Sequence, residues 1–464
     1  MKRIIALMLV LLMLVFAFAA CKNVNDIEDE SDSDAQVEDT LENKETDKKP
    51  SSTQKGDKNT DKATDKATEK TDDKTEETEK PTFNVKDSSS GLKFELNADK
   101  LSYTLVGKGS CTAKELVIDG YKGLPVTVIG YNALAGNSVI TSVTIGDNVK
   151  VIDGYAFADC TKLTKVTVGK NVRTIGNCAF RGCKVMTSAE LGKTLEKISY
   201  RAFYNCTKLS TIKIPDSVRC IGEEAFANTS YYNTSSNWQN KVLYIGNHLI
   251  LAKTDISGSY TIKSGTVSIA EMAIRGCKSI TSVTIPDSVK GIGAISFANC
   301  DNLNTIKIGN NVEYIGDRPF INTGYYKNTD NWENNMLYLG SYLVAAKTSV
   351  TGAVTVKSGT KAICDTVFLN CKKITSIVIP DSTVYIGEYA FYGCTGVTKI
   401  TIGSNVKKIG VMAFKDCQAL KELTFKKTTG WEADGISVDS EYLAIKTGAV
   451  GQVMLYSDKT WRRS

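Results

Sequence analysis

One recurring phenylalanine position constrains what this chain can fold into. Phe157, Phe180, Phe203 and Phe226 stand 23 residues apart; the position returns at Ile274, Phe297 and Phe320, then at Phe368, Phe391 and Phe414. Two of the steps are 48 residues, which is one period plus an insertion of 25. A fixed period of this length marks a solenoid, because one unit cannot bury its apolar face alone and must stack on its neighbours. The 464 residues are therefore expected to hold one elongated, mainly β solenoid of about 11 turns rather than two or three ordinary domains.

Within a unit such as LTKVTVGKNVRTIGNCAFRGC, the start alternates, with Leu163, Val166 and Val168 facing in and Lys165 and Thr167 facing out. That is the pattern of a half-buried strand. VRTIG reads as a second short strand, and NCAFRGC as a brief helical or turn segment that drops Phe180 into the core. Gly176 recurs as Gly222, Gly293, Gly316, Gly387 and Gly410, which predicts a tight corner with a glycine-type backbone angle. Asp153 and Ser199 at the same position show that positive φ is not obligatory there.

Thirteen cysteines suggest a disulfide framework at first sight, but their spacing argues for another role. Cys160, Cys183, Cys206, Cys277, Cys300, Cys371, Cys394 and Cys417 each follow the phenylalanine position by three residues. Equivalent positions in stacked repeats form a one-residue-wide ladder. Parallel thiols in an even ladder suit packing beneath a turn and bonding to loop carbonyls better than bridging. No CxxC pair or Cys/His cluster supports a metal, and no cofactor is expected.

Residues 1–20 read as a signal peptide, with Lys2 and Arg3 ahead of an apolar run from Ile4 to Phe18. The run is short for a membrane span, and acidic rather than basic sequence follows it. Phe18-Ala19-Ala20-Cys21 resembles a bacterial lipoprotein lipobox, although a phenylalanine stands where leucine is usual. That resemblance implies cleavage before Cys21, its lipidation and anchoring on the outer face of the bacterial membrane, with the lipid as the only membrane contact. Residues 21–82 then form a low-complexity tether, too poor in apolar residues to offset the entropy of ordering. From Lys22 to Lys80 there are 20 acidic and 11 basic residues, so the body beyond carries about +13 of a chain whose net charge is +6. A basic body favours sialylated or sulfated glycans, wall polyanions or acidic proteins as partners; the other reading is that the charge serves solubility. Residues 83–115 are expected to cap the solenoid, 116–425 to form it, and 426–464, with Trp431 and Trp461, to cap its other end.

The segments IPDSVRCIGEEAFANT, IPDSVKGIGAISFANC and IPDSTVYIGEYAFYGC look like the BspA-type leucine-rich repeat of bacterial surface proteins. The likeness spans about Leu116 to Phe425. It implies a right-handed, curved solenoid with a sheet on its concave side, displayed outside the cell. The better-known members of that family are adhesins for host matrix proteins or other bacteria, so the resemblance implies a host glycoprotein, extracellular matrix or another microbial surface as partner. It implies no nucleic acid and a monomeric body.

The insertions at 230–254 and 324–348 are near copies, 94 residues apart, and each carries two apolar runs around Gly246-Asn247 or Gly340-Ser341, the signal of a β-hairpin. Their aromatics, Tyr231, Tyr232 and Trp238, then Tyr325, Tyr326 and Trp332, would suit a binding platform. Packing the hairpin onto the solenoid flank is the favoured reading, since a protruding hairpin needs a small core of its own. On the strand face expected to be concave, the candidate ligand positions are Thr144, Lys165, Thr167, Glu190, Lys213, Thr284, Lys307, Lys399 and Thr401. Hydroxyls there also satisfy plain strand propensity. No nucleophile elbow, zinc-protease helix, P-loop or dinucleotide fingerprint occurs, and His248 is the single histidine, read as a hairpin surface residue. A non-catalytic interaction module is the expected function. A self-associating envelope spacer is the alternative, and an extracellular hydrolase is the weaker third.

Overall fold

A computed structural model describes residues 83–434 and 436–464. The expected signal peptide, Cys21 and the tether to residue 82 lie outside the described residues. The alternating segments form short strands that pair in parallel with the preceding and following units. Lys165–Thr167 pairs with Ser142–Ile145 on one side and Ser188–Glu190 on the other, always at a register of one repeat. The shorter Thr174–Ile175 pairs likewise with Val151–Ile152 and Lys197–Ile198. Two parallel ladders result, joined within each rung by tight turns rather than helices. The side chains that point between the ladders make one continuous apolar core.

The phenylalanines stack in that core. Phe157, Phe180, Phe203 and Phe226 lie face to face with centroids 5.2 to 5.5 Å apart, and Phe368, Phe391 and Phe414 repeat the arrangement at 5.1 to 5.5 Å. The ladder cysteines are buried and unbridged. Cys183 Sγ donates to the carbonyl of Phe157 at 3.2 Å, Cys206 to Phe180 at 3.1 Å, and Cys300 to Ile274 at 3.1 Å. A thiol is small enough to fit beneath the turn and polar enough to satisfy a carbonyl that water does not reach.

The first ladder is broken into sheets of five, three and four strands, ending at Thr211–Lys213, Thr305–Ile308 and Glu422–Phe425. At each internal break a hairpin restarts the second ladder. Val242–Ile245 and His248–Ala252 pair antiparallel, and the returning strand then pairs in parallel with Ser268–Ile269. Met336–Leu339 and Tyr342–Ala346 do the same ahead of Ala362–Ile363. The N-terminal hairpin of Lys93–Leu96 and Tyr103–Gly107 heads Leu124–Ile129 in the same way. The insertions are therefore rungs rather than flank decorations. Leu243, Leu249, Leu337 and Leu343 are fully buried in the common core. Counting the three returning hairpin strands, the solenoid has about 14 turns instead of 11. At the far end, Trp461–Arg463 pairs antiparallel with Lys408–Ile409, and Trp431 and Trp461 pack on Phe425 at 5.5 and 6.1 Å.

The recurring glycine works differently from expectation. Gly176, Gly222 and Gly293 do not adopt positive φ. They are glycine because a Cβ at Gly293 would lie 2.4 Å from the backbone nitrogen of Glu271 on the rung beneath. The left-handed angle falls two residues later, on Cys178, Glu224 and even the β-branched Ile295 (φ 55°, 54° and 53°). Each such residue costs about 1–2 kcal/mol of local strain, which rung stacking must outweigh. We expect Gly293→Ala to destabilise the protein by about 1–3 kcal/mol through this backbone clash. Ile295→Gly should change stability by less than ~1 kcal/mol, because relief of strain offsets the lost side chain. Urea midpoints of the two variants compare them directly.

Candidate ligand surface

The outward face of the first ladder carries the candidate residues, and their surroundings divide them. Thr144, Lys165, Glu190, Lys213, Lys307 and Lys399 are exposed, while Thr167, Thr284 and Thr401 are half-buried between neighbouring rungs. Lys165 pairs with Glu190 at 2.8 Å, and Thr167 Oγ1 donates to the same carboxylate at 3.4 Å. The Lys165 contact holds the Glu190 carboxyl below its usual range. Lys399 and Lys446 share Glu422 at 3.5 and 3.3 Å. Lys213 and Lys307 form no ion pair among the described residues; Glu190, opposite Lys213 on the neighbouring strand, is engaged by Lys165 instead. Both stand in the sequence Thr-Ile-Lys-Ile, on the terminal strand of their sheet.

The aromatic clusters sit immediately beyond those two terminal strands. Thr229 caps a single helical turn, Ser230–Asn233, by accepting from Tyr232 N at 3.1 Å, and Tyr231 N donates to Leu209 O at 3.0 Å. Trp238 donates its ring nitrogen to Tyr232 O at 2.8 Å and meets the Tyr232 ring edge-on at 5.4 Å. Tyr231 donates its hydroxyl to Tyr244 O at 3.0 Å. The second copy reproduces every contact: Trp332 to Tyr326 O at 2.8 Å, the rings at 5.1 Å, and Tyr325 to Tyr338 O at 3.0 Å. Lys253 and Lys347 lie over the two tryptophans at 5.5 and 4.9 Å. All six rings are half-buried and pack against the core, so their geometry is that of a clamp fastening the hairpin to the stack before it.

Burial also sets the chemistry of the thiols. It pushes Cys206 and Cys417 up to about 12 and Cys300 and Cys371 up to about 11. At neutral pH these are thiols, not nucleophilic thiolates. The sequence reading missed two features. One is a polar seam on the second ladder, where Lys197, Cys220, Glu271, Tyr314, Asp365, Tyr385 and Glu388 from different stacks approach one another. Tyr385 donates to Asp365 Oδ1 at 2.8 Å, and Cys220 Sγ lies 3.6 Å from Glu271 Oε1. Burial, with Glu388 beside it, raises Asp365 to about 8. The stacks thus approach one another on the second-ladder side. The other is a cleft of about 690 Å³ at the C-terminal end, bordered by Trp431, Asp439, Arg462 and Arg463. Among the described residues no group of three or more His, Cys, Asp or Glu side chains could hold a metal. No helix there is long and apolar enough to cross a membrane.

His248 is not on the surface. It is completely buried, with Nδ1 2.8 Å from Ser268 Oγ, because the returning hairpin strand is an internal rung. Tyr342 occupies the same place in the second hairpin, donating to Gly309 O at 2.9 Å and accepting from Val312 N at 3.1 Å. Alignment of the two insertions held that signal, since a histidine that alternates with tyrosine within apolar runs is a core position. Burial lowers His248 from 6.5 to about 4. The folded state therefore binds fewer protons than the unfolded one, and stability present above pH 6.5 is lost as pH falls through that window. The loss by pH 4 is on the order of 3 kcal/mol. The double variant His248→Tyr with Ser268→Ala rebuilds the second hairpin's arrangement and should abolish that part of the acid sensitivity. Urea midpoints at pH 7 and pH 4.5 test this.

The sequence profile of the BspA type leucine-rich repeat region matches residues 127–257, 250–352 and 338–431, in six copies. No curated protein sequence matches. A leucine-rich cell surface protein from Faecalibacterium prausnitzii is 23% identical over 68% of this chain and 94% of its own, with a TM-score of 0.23. A leucine-rich repeat protein from Eubacterium ventriosum is 20% identical over 71% and 95%, with a TM-score of 0.26. The leucine-rich repeat protein of T. pallidum is 16% identical over 71% and 88%, with a TM-score of 0.23. With the matched repeats running from residue 127 to 431, the chain belongs to the BspA-type leucine-rich repeat family.

Proposed function

We propose that this solenoid is a non-catalytic binding module of the bacterial cell surface, held to the membrane by a lipid on Cys21. Its ligand is an anionic glycan or acidic protein of a host glycoprotein, matrix or neighbouring microbe. The observation that carries the reading is the pair Lys213 and Lys307, exposed and without a carboxylate partner on equivalent terminal strands. Of the four lysines on the face, Lys165 and Lys399 are neutralised by the next rung, whereas these two leave positive charge for an outside partner. Their spacing of 94 residues gives two equivalent sites, so a repeating polyanion could engage both at once and gain from the second contact. A shallow, polar strand face with hydroxyls beside the charge suits an extended ligand better than a small molecule, which needs an enclosing pocket. The name of the Faecalibacterium relative, a cell surface protein, is compatible with display outside the cell.

Binding of the protein to an array of sialylated, sulfated and neutral glycans and matrix proteins, at low and high salt, tests this reading. Retention on anionic ligands should fall with salt, and Lys213→Glu with Lys307→Glu should weaken it by about tenfold or more. Trp238→Ala and Trp332→Ala should act mainly on stability. Salt-resistant binding that these tryptophan variants abolish would place the site on the hairpins. Absence of binding to every ligand would leave the envelope spacer as the function to pursue.

A further inference from the structure

The first and third stacks are remote in sequence, yet charged side chains of the second ladder join them. Glu196 accepts from Arg462 Nη2 at 3.0 Å and lies 3.8 Å from Lys408 Nζ, while Arg173 of its own stack donates to it at 2.6 Å. Burial pushes the Glu196 carboxyl up, but Arg462, Lys408 and Arg173 together pull it below its usual range. The adjacent Lys197 stands among carboxylates of the other two stacks, none in ion-pair contact. Glu388 foremost, with Glu271 and Asp365, holds its ammonium above the usual lysine range.

Stacks that are neighbours in sequence share an ion pair too, Arg219 with Glu313 at 2.9 Å between the first and second, but they are also tied through the backbone. Glu271 N donates to Ile221 O at 2.8 Å between the first and second, and Asp365 N donates to Ile315 O at 3.1 Å between the second and third. Those junctions combine backbone hydrogen bonds with a covalent connection. The ties from the first stack to the third are ionic, and the three side chains that make them are between 24% and 37% exposed. Solvent reaches such pairs, so salt screens them, whereas rung-to-rung hydrogen bonds and ring stacking within a stack are insensitive to salt.

We propose that Glu196, Lys408 and Arg462, beside Lys197, form an ionic clasp that closes the first stack onto the third, and that the clasp opens while each stack stays folded. Opening swings the third stack away about the second hairpin, lengthens the body and uncovers the second-ladder face around Glu196 and Lys408. A chain anchored at one end and binding at a distance would thereby change its reach with ionic conditions.

Zero-length cross-linking of the full chain with a water-soluble carbodiimide reads the clasp directly. The reagent activates the Glu196 carboxylate, and the Lys408 amine displaces it as the urea to leave an amide, which peptide mass mapping identifies. The pair Lys165 and Glu190, 2.8 Å apart within the first stack, supplies an internal standard for intact stacks. The Glu196–Lys408 product should form at low salt. Relative to the standard it should fall by about tenfold or more in Lys197→Met with Arg462→Gln, the loss expected when partners of a partly buried charge are removed. In the unmodified chain, raising the salt should lower the yield of the Glu196–Lys408 product itself relative to the yield formed before salt is added. A ratio unchanged in the double variant would overturn the clasp. So would loss of both products together, since closure would then be inseparable from folding, and so would absence of the Glu196–Lys408 product from the unmodified chain.

Discussion

Each rung of this solenoid rests on the backbone of the rung beneath it, and the rest of the structure follows from that contact. The recurring glycine lets two turns approach until a Cβ would lie within 2.4 Å of a backbone nitrogen. In these turns the next phenylalanine stacks on its predecessor at about 5.2 Å and the cysteine thiol reaches the carbonyl 26 residues back. The same closeness forces a left-handed residue into every turn, whether it is Tyr155, Arg201 or Ile295. Burial of one phenylalanine is worth roughly 1.5–3 kcal/mol, and strain at one non-glycine left-handed residue costs roughly 1–2 kcal/mol. Stacking wins the comparison within each rung, before hydrogen bonds are considered. That margin explains why the strained position tolerates almost any side chain, while the glycine and phenylalanine positions vary far less, with Asp153, Ser199 and Ile274 among the exceptions.

A ladder built this way has a problem only at its ends, where a strand edge and an apolar layer would meet water. The three hairpins answer it identically. Each lays down a returning strand that serves as rung zero for the stack after it, and that strand buries a leucine, Leu105, Leu249 or Leu343, in the shared core. The insertions are thus repeated caps carried inside the chain. Their aromatic clusters clamp each cap to the stack before it, through the same tryptophan-to-carbonyl and tyrosine-to-carbonyl bonds in both copies.

What the sequence made legible was whatever repeats. The phenylalanine column, the unbridged thiol column and the inward–outward alternation of the strands all follow from a period of 23 residues, because equivalent residues must be superposed in a stack. A hairpin could be read from its turn, but its docking place could not, since a β-hairpin signal carries no information about which edge it joins. That is why His248 read as a surface residue and why the turn count fell three short. The period marked the corner of each turn, yet it did not say whether glycine was needed for its angle or for its lack of a side chain. The ionic ties of Glu196 to Lys408 and Arg462 were invisible for the opposite reason. They join residues 212 and 266 positions apart and occur once, so nothing periodic points to them.

The two ladders consequently present very different surfaces for the same repeated backbone. Outward residues of the second ladder meet those of other stacks, where half-burial raises the cost of charge and drives pairing: Asp365 retains its proton well above the ordinary carboxylate range, and Lys197 retains its own among three acids. Outward residues of the first ladder remain in solvent, where lysine costs little and pairing is optional. An evenly spaced lysine on such a face pairs with an acid on the next rung wherever one exists, as Lys165 does with Glu190 and Lys399 with Glu422. At Lys213 and Lys307 the next rung of the first ladder is missing, because a hairpin has restarted the stack. On the side that remains, Glu190 stands opposite Lys213 but is engaged by Lys165. The device that caps each stack thus leaves the outward lysine of two terminal strands, Lys213 and Lys307, without a following rung to pair with.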